Sequence, residues 1–170
     1  MIILGIDPGY AIVGYGVIEY NNNHFKVLDF GAVTTKAHTD FTDRLLHIYS
    51  GIRNLVEIYN PQAMAIEKLF FNTNQKTAID VAQARGVIIL AARQHGVPIF
   101  EYTPLQVKQS VVGYGRAEKK QVMEMVKRIC NLKAVPRPDD AADAIALAIC
   151  HARSSTSLLN DGGNTLCTTV

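Results

Sequence analysis

The sequence predicts a single α/β domain built on a five-stranded mixed sheet flanked by helices on both faces. Three observations carry this expectation: short β-branched apolar runs of strand length, apolar residues at helical spacing between the later runs, and the order of the elements, three strands, helix, strand, helix, strand and further helices. With 170 residues, 48% of them hydrophobic, the chain can bury a full core as one domain. That domain is expected over residues 1–153, with a flexible C-terminal tail over 154–170, where small and polar residues and Gly162-Gly163 take over.

The first run, Ile2-Ile3-Leu4-Gly5-Ile6, ends in Asp7 before the turn pair Pro8-Gly9 and reads as a buried strand. Pro8 holds Asp7 in the extended region. Ala11 to Tyr20 and His24 to Thr35, joined by the turn Asn21-Asn22-Asn23, complete an antiparallel meander. Phe41, Leu45, Ile48, Ile52, Leu55, Val56 and Tyr59 recur at helical spacing, capped by Thr39 and stopped by Asn60-Pro61. A second core run, Ala63-Met64-Ala65-Ile66, ends in Glu67. Thr77 to His95 reads as a helix closed by Gly96, Val97 to Tyr102 as the fifth strand, and Thr103-Pro104 as the cap and first residue of another helix. Val111-Val112-Gly113-Tyr114-Gly115 reads as a flexible loop before a helix with Val122, Met125, Val126 and Ile129 on its apolar side. Pro136-Arg137-Pro138 breaks the chain, and a last helix, alanine-rich enough to approach the sheet closely, begins near Asp139 or Asp140.

Carboxylates at the ends of core strands are costly unless paired or bound to a cation, and α/β sheets gather ligands at such ends. Asp7 standing alone has a structural alternative as a cap on the following turn, but Glu67 repeats its setting. Asp140 and Asp143, three residues apart, share one face of an otherwise apolar helix. Either could serve the helix start or its dipole, an explanation that suits Asp143 less well. If the helix brings its pair to the two strand ends, each pair of charges about 5 Å apart repels by about 3 kcal/mol at an effective dielectric near 20. Such a cluster calls for cations, and oxygen donors alone favour magnesium or manganese over zinc. Two such ions suit in-line attack on a phosphodiester, so metal-dependent nucleic-acid cleavage is the expected chemistry.

The net charge of +2 conceals a basic segment. Lys108, Arg116, Lys119, Lys120, Lys127, Arg128, Lys133 and Arg137 fall close together against only Glu118 and Glu124. The segment is either a patch for phosphate backbones or a solvated helix face. Cys130, Cys150 and Cys167 are odd in number and lack metal-ligand spacing, which fits a reducing cytoplasm. The five histidines show no paired ligand spacing. No apolar stretch suggests a membrane span, and the N-terminus enters a strand without a basic leader. Gly14-Tyr15-Gly16 and Gly113-Tyr114-Gly115 each begin a dinucleotide fingerprint, but Glu19 and Glu118 stand where the third glycine belongs. Neither a phosphate-loop lysine nor a Ser-His-Asp arrangement is evident.

Taken in order, Ile6-Asp7-Pro8-Gly9, Ile66-Glu67, Gln83-Ala84-Arg85-Gly86, Gln106-Val107-Lys108, Gly113 to Lys119 and Asp140-Ala141-Ala142-Asp143-Ala144 resemble the RuvC family of bacterial Holliday-junction resolvases, over about residues 1 to 152. The resemblance implies a ribonuclease H-like fold, a homodimer, and magnesium-dependent cleavage of four-way DNA junctions by paired nicks, beside the branch-migration proteins RuvA and RuvB. It places the catalytic and metal-holding carboxylates on Asp7, Glu67, Asp140 and Asp143, with two magnesium ions per site and manganese as a substitute. DNA contacts fall on Phe70 or Phe71 as the aromatic that disturbs base stacking, and on Lys108 and Lys119 near the scissile phosphate, with Arg116 and Lys120 beside them. Core packing is the alternative for the two phenylalanines. A two-fold junction suits an isologous dimer, and the apolar helix from Thr77 to His95 either offers a partner face or is buried within the monomer. Two other readings fit part of the pattern: a YqgF-like nuclease acting on structured RNA, and a junction-binding protein without chemistry, against which the four acids argue. An actin-like ATPase would need two copies of the fold.

Overall fold

Strand β1 (Ile2–Asp7) lies at the centre of the sheet in a computed structural model that describes residues 1–69 and 75–160. It pairs antiparallel with β2 (Ile12–Asn21), which pairs antiparallel with β3 (His24–Thr34) across a turn where Asn22 and Asn23 take positive φ. On its other side β1 runs parallel to β4 (Ala63–Glu67), and β4 runs parallel to β5 (Ile99–Tyr102), giving the order β3-β2-β1-β4-β5. The expected meander and mixed five-stranded sheet are both present.

Helices cover both faces. Leu4, Ile6, Met64 and Ile66 pack with Ile48, Ile52 and Val56 of α1 (Phe41–Tyr59) and with Ala84, Ile88 and Ala91 of α2 (Gln75–Arg93). Ile3, Ile18, Ala65 and Tyr102 pack on the opposite face with α3 (Pro104–Val112), α4 (Lys119–Ile129) and the long α5 (Asp139–Asn160). Helix α5 lies across β1 and β2, and burial of an apolar face of this kind, rather than helix propensity, supplies most helical stability.

Several local expectations change. Asp40, not Thr39, caps α1: its Oδ1 accepts from the Thr42 backbone N–H at 2.8 Å and from the Thr42 hydroxyl at 2.6 Å. Helix α2 starts at Gln75 and ends at Arg93, and β5 begins at Ile99. Val111 and Val112 belong to α3 instead of a loop, because Val111 is buried among the α5 contacts and the turn waits for Gly113 at φ 96°. Helix α5 continues beyond Ser154 to Asn160. There the Ser154 hydroxyl donates to the Cys150 carbonyl at 2.8 Å and the Ser155 hydroxyl to the Ala152 carbonyl at 2.9 Å, so polar side chains bond back into the helix. No described helix is long and apolar enough to cross a membrane.

Candidate active site

Asp7 and Glu67 end neighbouring parallel strands. Ile6 is opposite Ile66 in the register, so each acid follows its paired isoleucine by one residue at the same sheet edge. Alternation then fixes the face. Ile3 and Ala65 lie in the core beneath α5, whereas Leu4, Ile6 and Ile66 lie beneath α1 and α2, so Asp7 and Glu67 both face α5. Glu67 is also paired with Tyr102 of β5, whose hydroxyl shares a 2.8 Å hydrogen bond with Nδ1 of buried His151 on α5.

The turn after Asp7 is tightly held. A side chain on Gly9 would run into the Ile12 carbonyl oxygen, 2.0 Å from an ideal Cβ. The Thr35 hydroxyl donates to the Tyr10 carbonyl at 2.9 Å, Arg44 Nε donates to that same hydroxyl at 2.9 Å, and the Arg44 guanidinium sits 3.5 Å above the Tyr10 ring.

Helix α5 supplies the other two acids, brought in by its close approach to glycines. An ideal Cβ would lie 1.9 Å from the Ala144 carbonyl oxygen if placed on Gly5, and 2.2 Å from the Asp140 carbonyl oxygen if placed on Gly14. On Gly16 it would lie 2.5 Å from Ile145 Cγ1. Alanines on the helix are therefore half of the arrangement, and glycines on the sheet are the other half. The Gly-Tyr-Gly spacing at 14 to 16, a failed fingerprint when read linearly, is a strand alternation with glycine on the helix-facing side.

Charge couples these acids. Burial, then the charges of Glu67, Asp143 and Asp140, push the Asp7 carboxyl from 3.8 to about 7, against a smaller pull from Lys119. Burial and the Asp143 charge raise Glu67, and burial raises Asp143 although Lys119 opposes it. Lys119 Nζ is 3.1 Å from Asp143 Oδ2 and 3.7 Å from Asp139 Oδ2, while Arg137 also pairs with Asp139. As the side chains stand, no three acid, histidine or cysteine side chains among the described residues are arranged to hold a metal ion. Asp143 is engaged by Lys119 instead.

Among the described residues expected to contact DNA, Lys119 is the one joined to the acids. Lys108 is half-buried on α3, Arg116 is exposed before α4, and exposed Lys120 lines a groove with Val112, Tyr114, Met125 and Arg128. Phe70 and Phe71 lie outside the described residues. The sequence did not point to Asp139 as a second carboxylate beside Lys119, nor to Gly5 and Gly14 as the spacing elements. Their signal was glycine at alternate positions of paired strands.

A family model described as Crossover junction endodeoxyribonuclease RuvC matches residues 3–151. The chain belongs to the RuvC family. The crossover junction endodeoxyribonuclease RuvC of Clostridioides difficile (strain 630) is 60% identical over 166 residues, 96% of this chain and 98% of that protein. The RuvC of Ruminiclostridium cellulolyticum is 61% identical over 154 residues, 91% of this chain and 93% of that protein. The solved structure of Thermus thermophilus RuvC in complex with Holliday junction substrate matches with TM-score 0.88 at 35% identity, over 92% of this chain and 96% of that one. The ribonuclease H-like fold of RuvC is thus present. The yeast mitochondrial Holliday junction resolvase Ydc2, at 14% identity and TM-score 0.65, shares the fold alone.

Proposed function

We propose that this chain is an endonuclease that resolves four-way DNA junctions by paired nicks, through metal-dependent phosphodiester hydrolysis, in recombination and DNA repair. The observation that carries the reading is the convergence of Asp7 and Glu67, from two strand ends, with Asp140 and Asp143 from α5, in a RuvC-family chain. The donors suit a hard divalent cation. All are carboxylates, and burial followed by the charges of the other three raises the pKa of Asp7, a repulsion that a bound cation relieves. Asp7, Glu67, Asp140 and Asp143 would hold magnesium, two ions per site with manganese as a substitute, and these would supply the Lewis acidity for in-line hydrolysis.

The chain's own residues position the substrate. The parallel strand ends fix Asp7 and Glu67, and the glycine contacts fix the start of α5 against them. Lys119, exposed at the first position of α4, stands beside the acids where it can meet a phosphate. Lys108, Arg116 and Lys120 extend the positive surface for the DNA backbone, and Phe70 or Phe71 supplies the aromatic contact to bases near the cut. Two equivalent cuts require two sites, so the working form is a homodimer. Helix α2 fits that role: Ala84, Ile88 and Ala91 are buried, whereas Ile79 and Leu90 are 65% and 52% exposed. Action in the cytoplasm beside RuvA and RuvB belongs to the same reading.

The test is incubation of the chain with a synthetic four-way DNA junction and with structured RNA, with and without magnesium, alongside Asp7→Asn. Magnesium-dependent paired nicking of the DNA junction, lost in Asp7→Asn while binding persists, is expected. Cutting of RNA alone, or wild-type cleavage by the variant, would overturn the proposal.

A further inference from the structure

Among the described residues, an ammonium of the protein itself stands against Asp143. Lys119 opens α4, and its ammonium lies 3.1 Å from Asp143 Oδ2 and 3.7 Å from Asp139 Oδ2. Its side chain is 54% exposed against 30% for Asp143, so it reaches the acids from the solvent side. Val122, Met123 and Val126 hold α4 in the core, which leaves the flexible Lys119 stem free to swing outward without disturbing packing.

We propose that Lys119 is an exchangeable counter-ion: it occupies Asp143 until a divalent cation replaces it, and the released ammonium then binds a phosphate of the DNA. The inference rests on the four-acid metal reading above. A divalent cation cannot use the Asp143 oxygen fully while the ammonium holds it, and the displaced ammonium needs another anion, which the DNA backbone offers. Binding of cation and of phosphate are thereby linked through one side chain, and such linkage is reciprocal. An exposed ion pair of this type is weak, so the expected penalty on metal affinity is modest, about twofold to fivefold.

The experiment measures manganese affinity of the full chain without DNA, by the loss of the free-ion paramagnetic resonance signal. Wild type is compared with Lys119→Met, which keeps the stem, Lys119→Arg, which keeps the charge, and Lys120→Met, which removes a neighbouring charge. Lys119→Met should bind manganese about twofold to fivefold more tightly, with Lys119→Arg and Lys120→Met close to wild type. A second measurement uses a junction blocked at its scissile bonds: adding manganese should raise junction affinity several-fold more in wild type than in Lys119→Met. If wild type binds manganese but Lys119→Met binds it no more tightly, or Lys120→Met gains as much, the counter-ion role falls while the metal site stands. Equal gains in junction affinity would overturn the link to phosphate. If none of the proteins binds manganese, the metal-site reading falls too.

Discussion

Gly14 is paired with Asp7 across the β1–β2 ladder, and the Asp140 backbone fills the space that a side chain on Gly14 would need. One missing methyl therefore sets how close α5 comes to the strand that carries Asp7. Gly14→Ala would place its Cβ 2.2 Å from the Asp140 carbonyl oxygen and force the helix start outward. Overpacking of this kind costs about 1–3 kcal/mol. The expected outcome is a folded protein that binds junctions but cleaves them at least about tenfold more slowly, because a small misplacement of catalytic groups is costly. Binding by gel shift and single-turnover cleavage separate the two effects, and an unchanged cleavage rate would count against the spacing role.

Asp7 should weaken the metal-free fold at neutral and alkaline pH. An unfolded aspartate ionises near 3.8, whereas the folded carboxyl ionises near 7, so folding stability falls as pH rises through that interval. The full difference corresponds to about 4 kcal/mol as an upper bound. In chelator at pH 8, Asp7→Asn should unfold at a higher temperature than wild type, despite losing activity. Magnesium should then raise the wild-type midpoint more than that of the variant. A variant less stable than wild type in chelator would contradict the electrostatic assignment.

His151 should act in the opposite pH direction. Burial pushes its pKa from 6.5 down to about 4, so its contribution is intact above pH 6.5 and is lost as pH falls towards 4. Between pH 7 and pH 5 the loss is about 2 kcal/mol. Urea titrations of wild type and His151→Gln at the two pH values isolate this part, since Asp7 is common to both proteins. The difference between their stabilities should shrink at pH 5, and a pH-independent difference would refute it.

The outer face of α2 is the expected dimer contact. A charge at a buried apolar interface is strongly unfavourable, so Leu90→Glu should shift the chain towards monomer in sedimentation velocity with its circular dichroism unchanged. Paired nicking should give way to single nicks. A variant that stays dimeric would place the interface elsewhere.

Much of this architecture was legible because strand ends and helix faces have strict periods. Asp7 and Glu67 stood out as charges closing apolar runs, and the spacing of Asp140 and Asp143 put them on one helix face. Glycine was harder to read, since its role at 5, 14 and 16 appears only when two strands and a helix are brought together. Val111 and Val112 looked like a loop because they precede Gly113, but burial against α5 overrides local preference. Thr39 and Asp40 are both good cap residues in sequence, and only the backbone geometry decides for Asp40. The counter-ion contact of Lys119 was invisible for a different reason: a lysine near acids in sequence does not reveal which carboxylate it touches.

The long α5 also ties the acids to the completion of folding. It is the last described element of the chain, it completes the core on one face of the sheet, and it contributes half of the acids. Without α5 packed on the sheet, Asp7 and Glu67 stand at their strand ends without Asp140 and Asp143. Assembly of the four-acid cluster is thus tied to closure of the core on that face, so the acids meet only in a chain that has already folded.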